Sequence, residues 1–197
     1  FHGVIEQQRN PVRNYVRKHI EQRYFDQLLQ QWKKTGCALS MDQVVEHWNE
    51  KTPYPTNSYA ITFDDGFENN LTLAAPLLAE HDTPATFYFT TQWIEKNGMS
   101  WTDRLEYCLE HSDSGRLLLP WNTEPRYFSN DVEKISILDE IRLEVKRDDT
   151  YDQEYVVQTV FEQCKLELIT KSNDPLDQKL SWEQVEELAS DSRFTIG

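Results

Sequence analysis

The stretch "YAITFDDGFENN", Tyr59 to Asn70, carries the residues best suited to chemistry. A short apolar run ends in two neighbouring carboxylates, Asp64 and Asp65, and Gly66 follows at once. Successive side chains of a strand point to opposite faces, so an unbroken strand would separate the two acids. Gly66 lets the backbone turn sharply, and the pair need not diverge. Two carboxylates held close cannot both ionise cheaply: either one keeps its proton or a cation binds between them. A metal is the simplest solution. Asp-Asp-Gly is also ordinary turn chemistry. What sets this copy apart is the apolar strand ahead of it and the strand–helix–strand unit around it, because functional residues of parallel α/β folds gather at the carboxyl ends of strands.

Other candidates are sparse. His2, His19, His47, His81 and His111 are scattered, with no pair at the spacing of helical metal ligands. Cys37, Cys108 and Cys164 are odd in number and widely spaced; they form no CxxC pair, no zinc-knuckle spacing and no disulfide framework. Each sits among apolar neighbours and reads as a small core residue, in a reducing or disulfide-independent setting. With 34 acidic residues against 20 Lys and Arg, the net charge of -14 repels phosphate backbones and excludes nucleic acid as a partner. A basic run, Arg9, Arg13, Arg17, Lys18 and Arg23, is diluted by Glu6, Glu21 and Asp26 and reads as a solvated face. The hydrophobic fraction is 38% and the mean hydropathy -0.73. No apolar run reaches the length of a bilayer span. "FHGVIEQQRNPV" has no apolar core of a signal peptide, although a start on Phe1 without Met leaves room for an upstream segment.

The elements around the acids follow from periodicity and capping. Ile20, Tyr24, Leu28 and Trp32, at steps of four, predict a helix stopped by Gly36. Ser40 is placed to cap a second helix over "MDQVVEHWNE", with Asp42 and Glu46 near its positive end. A strand is expected over Tyr59–Phe63, then a helix with Leu71, Ala74, Ala75 and Leu78 on one face and Pro76 forcing a late start or a kink. "ATFYFTT" reads as a strand buried on both faces. Strand, helix and strand then make a right-handed parallel βαβ unit. Beyond it, "MSWTDRLEYCLEHSDSG", "DVEKISILDEIRLEVKR" and "YDQEYVVQTVFEQCKLEL" read as helices, with "RLLLPW" and "PRYFSN" as a small hairpin or two edge strands. Consecutive helices break the βα alternation, so this part reads as an insertion. Ser181 caps a last helix, and "RFTIG" begins a strand.

"AITFDDGFENN" followed by "PLLAEHDTPATFYF" resembles the polysaccharide deacetylases, the NodB-homology carbohydrate esterases. "FHGV" at the start is similar to the aromatic-His stretch that opens many members, and "SWEQVEELASDSRFTIG" to the approach to the family's second motif. Residues 98 to 178 match only long-insert members, through "WTDRLEY". The resemblance implies an incomplete, distorted (β/α) barrel with a mainly helical insertion. It divides the chain into barrel (1–97), insertion (98–178) and a return to the barrel (179–197). It implies metal-dependent removal of N-acetyl groups from a polysaccharide or oligosaccharide. Asp64 would be the general base and Asp65 a ligand of a divalent metal, most often zinc. The remaining ligands would be a His pair that follows a strand ending like "FTIG", past Gly197, so residues 1–197 are expected to be an inactive part of the enzyme. His2, at the barrel mouth, is a structural or substrate-facing histidine before it is a ligand. The resemblance points to cell-envelope or exopolysaccharide work, in the periplasm, outside the cell or at the cytoplasmic face.

Two other classes are weighed. A non-catalytic carbohydrate-binding or assembly module would use aromatic platforms such as Trp93, Trp101 and Trp121. Phosphoryl transfer on a Mg²⁺ site suits two acids, but the chain has neither a phosphate-cradling Gly-rich loop nor a Walker lysine.

Overall fold

The computed structural model describes all residues, 1–197. They form two compact units, one of residues 1–8, 17–98 and 173–197, the other of residues 9–16 and 99–172.

In the first unit, β1 (Gly3–Ile5) pairs in parallel with β2 (His19–Glu21), and α1 (Gln22–Thr35) follows directly. The helical face toward the core is Phe25 and Leu29, with Trp32 packed beside them, rather than the stripe of steps of four. Ile20 lies in β2, and Tyr24 is more than half exposed. A step of four overruns the 3.6-residue turn, so a stripe of such steps drifts off the buried face. Gly36 ends α1 in extended conformation, and its reason is close approach: a Cβ there would stand 2.5 Å from the Asn57 carbonyl oxygen. β3 (Cys37–Ala38) leads to α2 (Met41–Glu50), capped reciprocally by Ser40 and Gln43 as expected. Cys37 is exposed, contrary to its reading as a core residue.

The expected strand over Tyr59–Phe63 is two. β4 (Ser58–Tyr59) pairs with β3, and β5 (Thr62–Phe63) pairs with a different neighbour. The chain stays extended and changes ladder between them. After β5 comes a π-helical turn, Asn70–Ala74, which runs into α3 (Ala75–Glu80) with Pro76 in its first turn. The proline thus sits where the π-helical turn gives way to α-helix. β6 (Ala85–Phe87) and α4 (Thr91–Lys96) follow.

The second unit begins with α5 (Trp101–Glu110), capped by Ser100. An antiparallel hairpin of β7 (Gly115–Leu117) and β8 (Arg126–Phe128) precedes α6 (Asp131–Arg147) and α7 (Gln153–Cys164). Its core gathers Leu105, Leu109, Ile137, Ile141, Val157 and Phe161. Charges of the "WTDRLEY" stretch are buried and bound inside this unit. Arg104 forks onto both oxygens of Glu154, while Glu106 accepts from the Asn14 backbone N–H at 2.8 Å and from Arg142 at 3.2 Å. Arg13, read from the sequence as part of a solvated face, is buried and faces Glu110 at 3.5 Å. Burial pushes the Tyr15 phenol up to about 12, beside Arg142 and with its hydroxyl donating to Asp139 at 2.9 Å.

The chain returns to the first unit through α8 (Trp182–Ser190), capped reciprocally by Ser181 and Gln184, and β9 (Phe194–Ile196). The parallel sheet runs β5-β6-β9; Phe63 stacks on Phe87, and Phe194 meets the Phe87 ring edge-on. The strands form open sheets of two or three, not a closed barrel.

Candidate active site

The three parallel strands of the central sheet end at one rim. Tyr88 N–H donates to the Phe63 carbonyl at 2.8 Å, and Gly197 N–H to that of Phe87 at 2.9 Å. This register sets Asp64, Tyr88 and Gly197 at the same level. Residues ahead of β1 extend the rim on the other side. The Phe1 amino group donates to the Thr62 carbonyl at 2.9 Å, and Asp64 N–H donates to the Phe1 carbonyl at 2.9 Å. The Phe1 ring is wedged against Phe25 and Phe63. Phe1 thus acts as a strand neighbour of β5, and His2 emerges beside the acids.

Asp64 ends the extended run, half-buried, with its N–H tied. Asp65 and Gly66 are both left-handed, with φ of 73° and 67°. Gly66 alone was expected to make the turn; Asp65 shares it, in a region that few non-glycine residues adopt, although Asp and Asn tolerate it best. A Cβ on Gly66 would come within 3.0 Å of the Phe89 ring. The tip is clamped from below. Leu180 N–H donates to the Gly66 carbonyl, Phe67 bridges Lys179, and Glu68 N–H donates to the Gln178 carbonyl. Lys179 Nζ stands 3.1 Å above the Phe67 ring.

His2 Nε2 lies 3.9 Å from Asp65 Oδ2. That is too far for a hydrogen bond and close enough for both to approach a shared third atom. Burial, with help from nearby Lys18, lowers the His2 imidazole below its ordinary value, although Asp65 and Asp64 pull it up. The neutral ring, with a free lone pair, is therefore favoured. No other histidine joins the rim. His19 is a buried member of β2, hydrogen-bonded through Nδ1 with Asn69; His81 meets Asp26 at 2.7 Å; His47 meets Thr52; His111 stacks on Tyr107. Asn69, just beyond the motif, is the support that sequence reading did not single out. Its Oδ1 accepts from Val4 N–H at 3.2 Å, and its Nδ2 donates to the Pro175 carbonyl at 3.0 Å.

Asp64, Asp65 and His2 are the side chains at this rim of types that can bind a cation. No group of three His, Cys, Asp or Glu side chains stands close enough to hold one. A catalytic zinc takes three protein ligands, so the described residues do not by themselves make such a site.

The family model of the polysaccharide deacetylases matches residues 51–136. The matched stretch is similar to that family, holds Asp64 and Asp65, and runs on through α5, β7 and β8 into α6. A de-N-acetylase of Aggregatibacter actinomycetemcomitans shares its fold, with a TM-score of 0.52 at 15% identity over 100% of this chain and 51% of the other. The Streptococcus pyogenes deacetylase PplD, in complex with acetate, aligns over 54% of this chain and 48% of its own, with a TM-score of 0.42 and 22% identity. The BpsB deacetylase domain of Bordetella bronchiseptica aligns over 87% and 41%, with a TM-score of 0.41 and 18% identity. The chain spans about half the length of these structures or less. No curated protein sequence matches it. At the level of the family, the chemistry is deacetylation of polysaccharide by a hydrolase.

Proposed function

We propose that this domain belongs to an enzyme that hydrolyses N-acetyl groups of a polysaccharide or oligosaccharide in a metal-dependent reaction. The observation that carries the reading is the rim itself: two acids at the carboxyl end of β5, the second 3.9 Å from a histidine whose neutral form is favoured. Asp64, half-exposed at the strand end, would take the proton of the attacking water. The acetamide C–N bond then breaks, acetate leaves, and the sugar nitrogen departs as a free amine. A divalent cation, zinc by the family resemblance, supplies Lewis-acid polarisation of the acetamide carbonyl. Asp65 would be its ligand, with His2 beside it, and the imidazoles that complete the set would come from outside residues 1–197. The same resemblance supports a distorted (β/α) barrel built by 1–97 and 179–197, an insertion at 98–178, and work in the cell envelope or outside the cell.

The test is acetate release from acetylated glucosamine oligomers. Residues 1–197 alone should release none and bind Zn²⁺ weakly. A chain extending past Gly197 should release acetate, and Asp64→Asn should cut kcat by about a hundred- to ten-thousand-fold with little change in KM. An extended chain that releases nothing, or an Asp64→Asn variant as fast as the parent, overturns the proposal.

A binding module on the same fold is the second reading, and the structure shifts the aromatics that would serve it. Trp121 is held by Glu140 and packs on Tyr151, and Trp93 and Trp101 are half-buried, whereas Trp48 on α2 is 73% exposed beside Val45 and Tyr54. Quenching of Trp48 fluorescence by oligosaccharide, with no acetate released by any extended chain, would favour it.

A further inference from the structure

None of the side chains of α2 is fully buried. Met41, Val44 and His47 form its half-buried side, while Val45 and Trp48 stand in solvent, 50% and 73% exposed. Three residues apart, they are neighbours on the helix surface. Tyr54 folds back from the connector: its hydroxyl donates to the Val44 carbonyl at 3.3 Å, and its ring lies 5.3 Å from that of His47. The helix is fixed at both ends, by the reciprocal cap of Ser40 and Gln43 and by the left-handed Lys51. An indole left in water contributes nothing to the core, and neighbouring apolar groups held out on a fixed frame mark an interaction site.

The charge on this outer face has one sign. Asp42, Glu46 and Glu50 recur at steps of four, so they follow one another at about 6 Å along the axis. With Val45 and Asn49 they line an open hollow of about 400 Å³. None of the three carboxylates takes part in an ion pair or a hydrogen bond. Like charges four apart destabilise a helix. Asp42, in the first turn, is offset by the positive end of the helix; Glu50, the last residue, meets the negative end, where an anion is disfavoured. The face thus combines an exposed indole with negative charge that nothing in the chain neutralises, and its complement is a cation with apolar surface of its own.

We propose that the outer face of α2 binds a glycan whose sugars carry free amines, the product class of the reaction proposed above. An aminosugar matches both parts of the face. The C–H side of its ring packs on the Trp48 indole, and its ammonium lies over the same ring or against the carboxylates of Asp42, Glu46 and Glu50. The acetylated sugar keeps the ring but has no charge. The face therefore holds the stretch of polymer already deacetylated, apart from the rim that carries Asp64 and Asp65. The identity of the occupant rests on the proposed deacetylation, whereas its binding is measured without turnover.

The test titrates isotope-labelled chain, residues 1–197, with glucosamine oligomers, with fully N-acetylated oligomers of the same length, and with oligolysine, following the Trp48 indole N–H and the α2 amides by NMR. Glucosamine oligomers should shift these signals and lose affinity as salt rises. The N-acetylated oligomers should bind about tenfold more weakly, and Trp48→Ala or the triple variant Asp42→Asn, Glu46→Gln, Glu50→Gln should weaken glucosamine binding by about the same factor. Neutralising Glu183, Glu186 and Glu187 on α8 should leave it unchanged, which separates the site from general attraction to an acidic protein. All of these are surface positions, and the titration of the parent chain needs no variant. Equal affinity for the two oligomers, oligolysine bound as tightly as glucosamine, shifts confined to the rim, or an equal loss from the α8 variant each overturn the proposal. Amine-selective binding at Trp48 supports it even where an extended chain releases no acetate, so the two readings fail separately.

Discussion

Asp64 and Asp65 are neighbours in sequence, but the backbone asks different things of them. Asp64 continues an extended run and gives its N–H to Phe1. Asp65 must be left-handed, at a φ of 73°. A β-branched residue at position 65 would carry the full left-handed penalty of about 1–2 kcal/mol, whereas Asn, like Asp, tolerates it. Asp65→Val is therefore expected to lower the thermal midpoint and Asp65→Asn to leave it in place, while both weaken Zn²⁺ binding by any chain that binds it. Calorimetry of the two variants beside zinc titrations separates the shape of the turn from its ligand chemistry. A midpoint equally low in both would mean that the carboxylate itself, not the backbone, holds the tip.

At the level of elements, Asn69 ties the acidic tip to β1 and to the segment before α8. Asn69→Ala strands the buried Val4 N–H and removes a bond to the Pro175 carbonyl, at an expected cost of about 1–3 kcal/mol in chemical denaturation. The contact between α1 and the end of α3 answers to acid. The hydrogen bond from His81, supported by Gln30, holds the Asp26 carboxyl below its ordinary value. In that case the unfolded chain binds the proton first, so the stabilisation is complete above the ordinary aspartate value and disappears as pH falls through the lower folded one. Asp26→Asn should therefore flatten the decline of the thermal midpoint from about pH 5 downward. Local signals of this kind were legible in the sequence: the caps Ser40 and Ser181, the βαβ unit and the acids at its strand end; the Gln43 and Gln184 halves of the capping boxes were not. Partner choice was not. The period-2 pattern of Tyr59–Phe63 cannot show that its first half pairs with β3 and its second with β6. No spacing rule joins His2 to Asp65, because that meeting is made by packing of elements distant in sequence. Arg13 failed for the same reason: its charge reads as solvent-facing until Glu110 on α5 is known to cover it.

For the molecule as a whole, the net charge is -14. The chain should pass a DNA-cellulose column unretained at low salt, where a basic patch would be held most strongly; retention released by salt would contradict the charge argument. No helix is long and apolar enough to cross a membrane. The path of the chain through its two units has a consequence for birth on the ribosome. Residues 9–16 leave the tunnel early, but their place is in a body whose other residues, 99–172, are made much later. Until α5 exists, the Asn14 N–H has no Glu106 to meet and Arg13 has no Glu110. The first unit, for its part, lacks β9 until residue 196 is added. The second unit has all its residues once 172 is made, whereas the first waits for 173–197, so a nascent chain stalled near residue 98 should be degraded readily by added protease, and protection should arrive late, in the second unit before the first.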